Sequence, residues 1–220
     1  MKRIQVKSLS AEVETRLKEE ITTGQLAPGA FVSIADLSQQ FGTSVTPVRD
    51  AIHRLAAVGF VHILPRKEIR VASLDEKKIR NVYSIRMALE GLAIRAATKH
   101  TPEAELDRAW ATLCEAEAKY LVSLKVEDLL PQDSLVHDLI FQYCENEMLI
   151  TLMRGFRDLS LWARQVLIRS QPQVVRMALA EHKEILAAMR ARSVTVAEKA
   201  LHHHLRQSLE RALSSLKVNP

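Results

Sequence analysis

The sequence is poor in the residues that mark secreted, fibrous or unfolded chains. It has two cysteines, Cys114 and Cys144. They are far apart and form no CxxC pair, which argues against a disulfide framework and for a reducing compartment with buried, inert thiols. Six Gly and seven Pro, with no low-complexity tract, argue against disorder. Aromatic residues make up only 5%, while Leu, Ala, Ile and Val are abundant, a mix that suits helix-on-helix packing better than a β-sandwich. No apolar run is long enough to cross a membrane, and the opening MKRIQVKSLSAEVE contains no signal-peptide stretch. A soluble, cytoplasmic protein without a membrane partner is expected.

The 220 residues are 47% hydrophobic, enough for one large domain or two modest ones. The formal charge is +5. The first 70 residues carry ten basic against seven acidic side chains, and the remainder 21 against 19. The N-terminal part is therefore the more basic per unit length, in keeping with a polyanionic partner.

Periodicity divides the chain near Val71–Leu74. A first helix is expected from about Ser8 to Thr23, with Leu9, Val13, Leu17 and Ile21 as its apolar stripe and Gly24 as its stop. Ser33 caps a second short helix bearing Ile34, Leu37 and Phe41. A third starts near Ser44 with Pro47 in its first turn and Val48, Ile52 and Leu55 facing inward. Phe60–Leu64 and Ile69–Ala72 are β-prone runs, and Pro65 to Glu68 between them suits a hairpin tip. From Asp75 onward the pattern is helical, with helices expected at roughly 75–99, 102–122, 127–145, 147–169, 172–191 and 194–216. Pro131 is the awkward residue in the third of these. The expected fold is mainly α: a winged helix-turn-helix over 1–73, then an all-helical antiparallel bundle of six or seven helices over 74–220.

Three short helices and a hairpin can place the third helix in a DNA major groove, N-terminus first. With Val48, Ile52 and Leu55 inward, Thr46, Arg49, Asp50 and His53 point outward. Thr46 and the early helix amides suit phosphate oxygens, Arg49 a phosphate or a guanine edge, and Arg66 and Lys67 at the hairpin tip an adjacent groove or backbone. Gly24, Leu26, Pro28-Gly29, Leu37, Phe41-Gly42, Ser44, Thr46-Pro47-Val48-Arg49, Ala51, Leu55 and Gly59 together resemble the N-terminal domain of GntR-family regulators. The resemblance implies a double-stranded DNA operator contacted through Ser44, Thr46, Arg49, His53, Arg66 and Lys67. Val45 and Ala35 stand where relatives commonly carry basic DNA contacts, which implies an altered or relaxed operator preference.

In the second half, Asp133 and His137 are spaced to share one helix face, while His182 and His204 lie beside apolar residues. One carboxylate and three imidazoles suit Zn²⁺ first, with Ni²⁺ or Mn²⁺ as alternatives; scattered structural histidines are the competing reading. His202 and His203 are expected to face solvent. Residues from about Lys78 to Leu213 resemble the FCD ligand-binding domain of the FadR subfamily of GntR regulators. The matching pieces are Arg86-Met87-Ala88-Leu89-Glu90, Asp133 with His137, Asn146 with Leu149, Glu181-His182 with Ile185, and His204-Leu205. The resemblance implies that Asp133, His137, His182 and His204 hold a divalent metal. It further implies that a small organic acid binds beside the metal with Arg86 and Asn146 as its contacts, and that the chain works as a homodimer, the usual direction being repression. Arg157 and Arg164 are weaker effector candidates, expected instead on the solvated surface. The rival readings are an effector site without metal and a helical metalloenzyme acting on water, the latter with Glu181 as a base.

Overall fold

The computed structural model describes residues 8–65, 68–132, 134–170 and 173–218. Arg66, Lys67 and Asp133 therefore lie outside the described residues. The chain forms two compact units, Met1–Leu74 and Asp75–Pro220. Among the described residues, no helix is long and apolar enough to cross a membrane.

In the first unit, α1 (Leu9–Thr23) starts where the Ser8 hydroxyl accepts the Ala11 N–H. It buries Val13, Leu17 and Ile21 and stops at Gly24, whose φ of 81° is the left-handed conformation that a β-carbon disfavours. Leu9, expected on the same stripe, is exposed. Ser33 caps α2 (Ile34–Gln40) through the Asp36 N–H, and Leu37 is its buried anchor. In α3 (Val45–Ala57) the residues Val48, Ala51, Ile52 and Leu55 are buried at helical spacing. A two-residue strand that the sequence pattern does not announce, β1 (Phe31–Val32), completes the wing with β2 (Val61–Ile63) and β3 (Ile69–Val71). The antiparallel order is β1-β3-β2, with Val32 opposite Ile69 and Val61 opposite Val71.

The second unit is helical: α4 (Glu76–His100), α5 (Glu103–Ser123), α6 (Leu135–Gln142), α7 (Glu147–Ser170), α8 (Val174–Arg190) and α9 (Val194–Val218). Five of these follow the sequence pattern to within a few residues. The helix expected over 127–145 does not form as one piece. Short 3₁₀ turns occupy Val126–Asp128 and Leu130–Gln132, and α6 begins at Leu135, two positions beyond Asp133. Pro131 supplies the reason, since a proline has no N–H to give to a helical bond. The far end also falls short, with Tyr143 capping α6 and Glu145 left-handed at φ 53°.

Helix α4 is the spine of this unit and packs against α6, α7, α8 and α9. Gly91 faces α9, where a β-carbon would stand 2.7 Å from Nε2 of His202 and the imidazole would have to shift. His202 is half-buried, not solvent-facing as expected, and its Nε2 lies 3.2 Å from the Met87 carbonyl oxygen, to which it donates. His203 is exposed.

Candidate functional site

Three imidazoles meet inside the helical unit: His137 from α6, His182 from α8 and His204 from α9, all buried. One nitrogen of each lies within 4.8 Å of the others. Two of the rings are oriented by carboxylates. Nδ1 of His137 is 2.6 Å from Glu90 Oε2, and Nδ1 of His204 is 2.7 Å from Glu181 Oε2. A carboxylate only accepts, so each Nδ1 carries the hydrogen, and in the neutral ring each Nε2 presents a lone pair. Those two Nε2 atoms are 3.3 Å apart, and Nε2 of His182 is buried without a hydrogen-bond partner. Facing lone pairs this close repel one another unless a cation lies between them.

Burial disfavours the charged form of two of the rings. Burial first, then neighbouring charged groups, pushes His182 and His204 well below the usual histidine range. Each orienting carboxylate is itself held by an arginine. Arg86 donates through Nε to Glu90 Oε1 at 2.6 Å, and Arg211 grips Glu181 with both ends at 2.7 and 2.8 Å. Burial alone would raise Glu90, but Arg86 and His137 outweigh it and hold the carboxyl far below its ordinary value. Arg86 also sends Nη2 to within 3.4 Å of His137 Nε2.

This set fits a metal ion. Metal-bound histidines characteristically donate their second N–H to a carboxylate, as both rings do here. Tetrahedral zinc with bonds of about 2.0–2.1 Å sets neighbouring ligand atoms about 3.3 Å apart.

Beside the trio opens a cavity of about 500 Å³, lined by Arg86, Glu90 and His137 at one end. Arg157 and Arg164, both expected on the solvated surface, line it, and Arg157 is exposed as expected. Arg164 is only partly exposed, and burial and then Arg86 draw its guanidinium down to about 10. Arg157 pairs with Asp138 at 2.9 Å. Asn146 does not line the cavity. It precedes α7 and its Oδ1 accepts the Leu149 N–H at 2.9 Å, which makes it a helix cap.

In the first unit Thr46, Arg49, Asp50 and His53 are all exposed along one side of α3, opposite the buried Val48, Ile52 and Leu55. Ser44 stands exposed at the helix start and makes no side-chain cap bond, so its hydroxyl is not spent on the helix. Val45 is 42% exposed and Ala35 is exposed, which puts two apolar side chains where basic ones are usual in the resembled family.

Residues 9–71 match the family model of bacterial regulatory proteins, gntR family, and residues 81–207 match the FCD domain. The chain belongs to the GntR family. A protein named "Probable D-xylose utilization operon transcriptional repressor", from Paenarthrobacter nicotinovorans, is 30% identical, covering 93% of this chain and 88% of that one. The HTH-type transcriptional regulator McbR of Escherichia coli K12 is 34% identical over 115 residues, about half of each chain at 51% and 52%. The solved structure of E. coli McbR/YncC shares the fold with a TM-score of 0.75 at 23% identity, covering 96% of this chain and all of that one. As a GntR-family member with an FCD domain, the protein is a DNA-binding transcriptional regulator, and its homologues are regulators, not enzymes. FCD domains commonly bind a metal, and GntR regulators bind operators and effectors, usually as dimers.

Sequence reasoning missed Glu90 and Arg211 as parts of the site. The signal for Glu90 was its i, i+4 spacing from Arg86. For Arg211 no local signal exists, since its partner Glu181 belongs to another helix.

Proposed function

We propose that this GntR regulator is a cytoplasmic, homodimeric repressor whose grip on a double-stranded DNA operator is controlled by a small organic acid bound beside a divalent metal. Residues 1–73 hold the operator. Thr46 and Ser44 take phosphate oxygens, and Arg49 and His53 present side chains to base edges or backbone. Arg66 and Lys67 belong to the same proposal at the hairpin tip. Residues 74–220 hold metal and effector.

His137, His182 and His204 supply three nitrogen donors and Asp133 is the fourth ligand. Zinc is the first expectation for such a set, nickel and manganese the alternatives. When bound, the metal offers an open position to an acid, and Arg86 pairs with the acid's carboxylate. The observation that carries this reading is the convergence of the Nε2 atoms of His137 and His204, 3.3 Å apart, with the unpartnered Nε2 of His182 beside them. It favours the metal site over a metal-free one, because neutral rings of these tautomers have no hydrogen to share.

The test is elemental analysis of natively purified protein, with operator gel shifts before and after chelation. About one equivalent of metal per chain is expected, and a Zn²⁺ site that refills after dialysis. Metal far below one equivalent, with no tight rebinding of Zn²⁺, Ni²⁺ or Mn²⁺, would overturn the metal centre and leave DNA binding intact.

A further inference from the structure

The cavity beside the histidine trio has two unlike ends, and we infer that its ligand is an amphiphilic monocarboxylate. The acid head sits by Arg86 and Arg164, and an apolar body lies against Phe141, Ile150 and Met153. This rests on the acid-sensing reading of the same site and adds the kind of acid.

The two ends are separated along α7. Arg164 lines the cavity eleven residues beyond Met153 and fourteen beyond Ile150, about 16 and 21 Å along the helix axis. At the Arg164 end stand Arg86, Glu90 and His137, within 3.5 Å of one another in sequence from guanidinium to carboxylate to ring. On α6 the cavity lining passes from His137 to Phe141 in a single turn. Along both helices the wall is charged toward one end and mostly apolar toward the other, with Asp138 and Gln142 on α6 and Ser160 and Leu161 on α7 interrupting the trend. Met153 is buried and Phe141 and Ile150 are half-buried.

Between the two ends lies Arg157, which lines the cavity too. Arg157 pairs with Asp138 at 2.9 Å, and the same Oδ2 of Asp138 accepts the Ser134 hydroxyl at 3.0 Å. A second carboxylate on the ligand would meet Asp138 there, and sugar-acid hydroxyls laid on Phe141, Ile150 and Met153 would lose water for few partners, Gln142 among them. A hydrocarbon body is rewarded at the same place. The volume of about 500 Å³ is within the range of sites that enclose a whole small molecule, so it exceeds what a bare two-carbon acid would fill.

The experiment is calorimetric titration of the full-length, metal-loaded protein with straight-chain alkanoates from acetate to decanoate, alongside lactate and succinate. Each added methylene is expected to tighten binding by about fourfold until the cavity is full, at one ligand per chain. Lactate and succinate are expected to bind no better than acetate. In Phe141→Ala and Ile150→Thr the gain per methylene should shrink while acetate affinity stays unchanged, a readout independent of either variant's stability. Acetate binding with no chain-length gain, or a gain untouched in both variants, overturns this inference and leaves the acid-sensing reading standing. Tighter binding of succinate or lactate than of octanoate likewise overturns it. Failure of every acid, acetate included, overturns both.

Discussion

His182 ends in a buried nitrogen with nothing to bond, a condition that costs about 1–3 kcal/mol when it persists. A cation would relieve it, since Glu90 and Glu181 turn the neighbouring rings to the same point. Glu90→Gln and Glu181→Gln should each weaken metal binding by roughly 10–100-fold, read by chelator competition, because an amide no longer enforces the ring tautomer or its basicity. Unchanged metal affinity in both would separate these carboxylates from the metal. That His137, His182 and His204 belong together was legible in the sequence through their placement beside apolar residues and through the FCD resemblance. That Glu90 reaches across 47 residues to the first of them, or that Asn146 is spent on capping α7, was not, because neither follows from periodicity.

At the scale of elements, the DNA-binding unit depends on how α1 meets α3. Glu14 of α1 bonds Arg54 of α3 at 2.6 Å and Lys18 of its own helix at 2.8 Å. Burial would raise the Glu14 carboxyl, yet the two cations together hold it below the usual 4.5. A group depressed on folding adds stability above its unfolded value and loses it as pH falls through the folded one. Urea unfolding should therefore separate Glu14→Gln from the parent at pH 7 and bring the two together well below pH 4.5, the usual carboxylate value. A gap independent of pH would assign the effect to packing instead. Helices α4 and α9 set a second test, because a β-carbon at position 91 would meet His202 at 2.7 Å. Gly91→Ala should push the His202 ring off the Met87 carbonyl, a loss of about 0.5–1.5 kcal/mol against about 1 kcal/mol gained in helix propensity, and should be non-additive with His202→Ala in a double-mutant cycle. Strict additivity would show that the two residues do not press on each other. Pro131 is the case in which local pattern misled, since its apolar neighbours read as helix while its ring prevents one.

At the scale of the molecule, two compact units divide the labour of one regulator. Metal that binds only the folded helical unit stabilises it by mass action, about 2.7 kcal/mol at a hundredfold excess over Kd. Calorimetry should show a melting transition that moves up with Zn²⁺ and falls back with chelator, and a transition indifferent to both would contradict the site. Operator affinity should fall steeply with salt, as phosphate neutralisation demands. Arg49→Ala is expected to abolish the operator shift at moderate salt. Unchanged affinity would remove α3 from the groove.

What the sequence determined alone was local in origin: the capped helices from Ser8 and Ser33, the inward faces of α1 and α3, and the histidines available to a metal. Periodicity and capping act over three or four residues, so they are readable without a fold. Only the tertiary structure decided which side chains share a space. It turned the lone pairs of His137 and His204, 67 residues apart, toward each other, moved Arg164 from an expected surface to a cavity wall, and gave that cavity a charged and a mostly apolar end. These outcomes depend on how α4, α6, α7, α8 and α9 pack, and packing joins positions that no local pattern links.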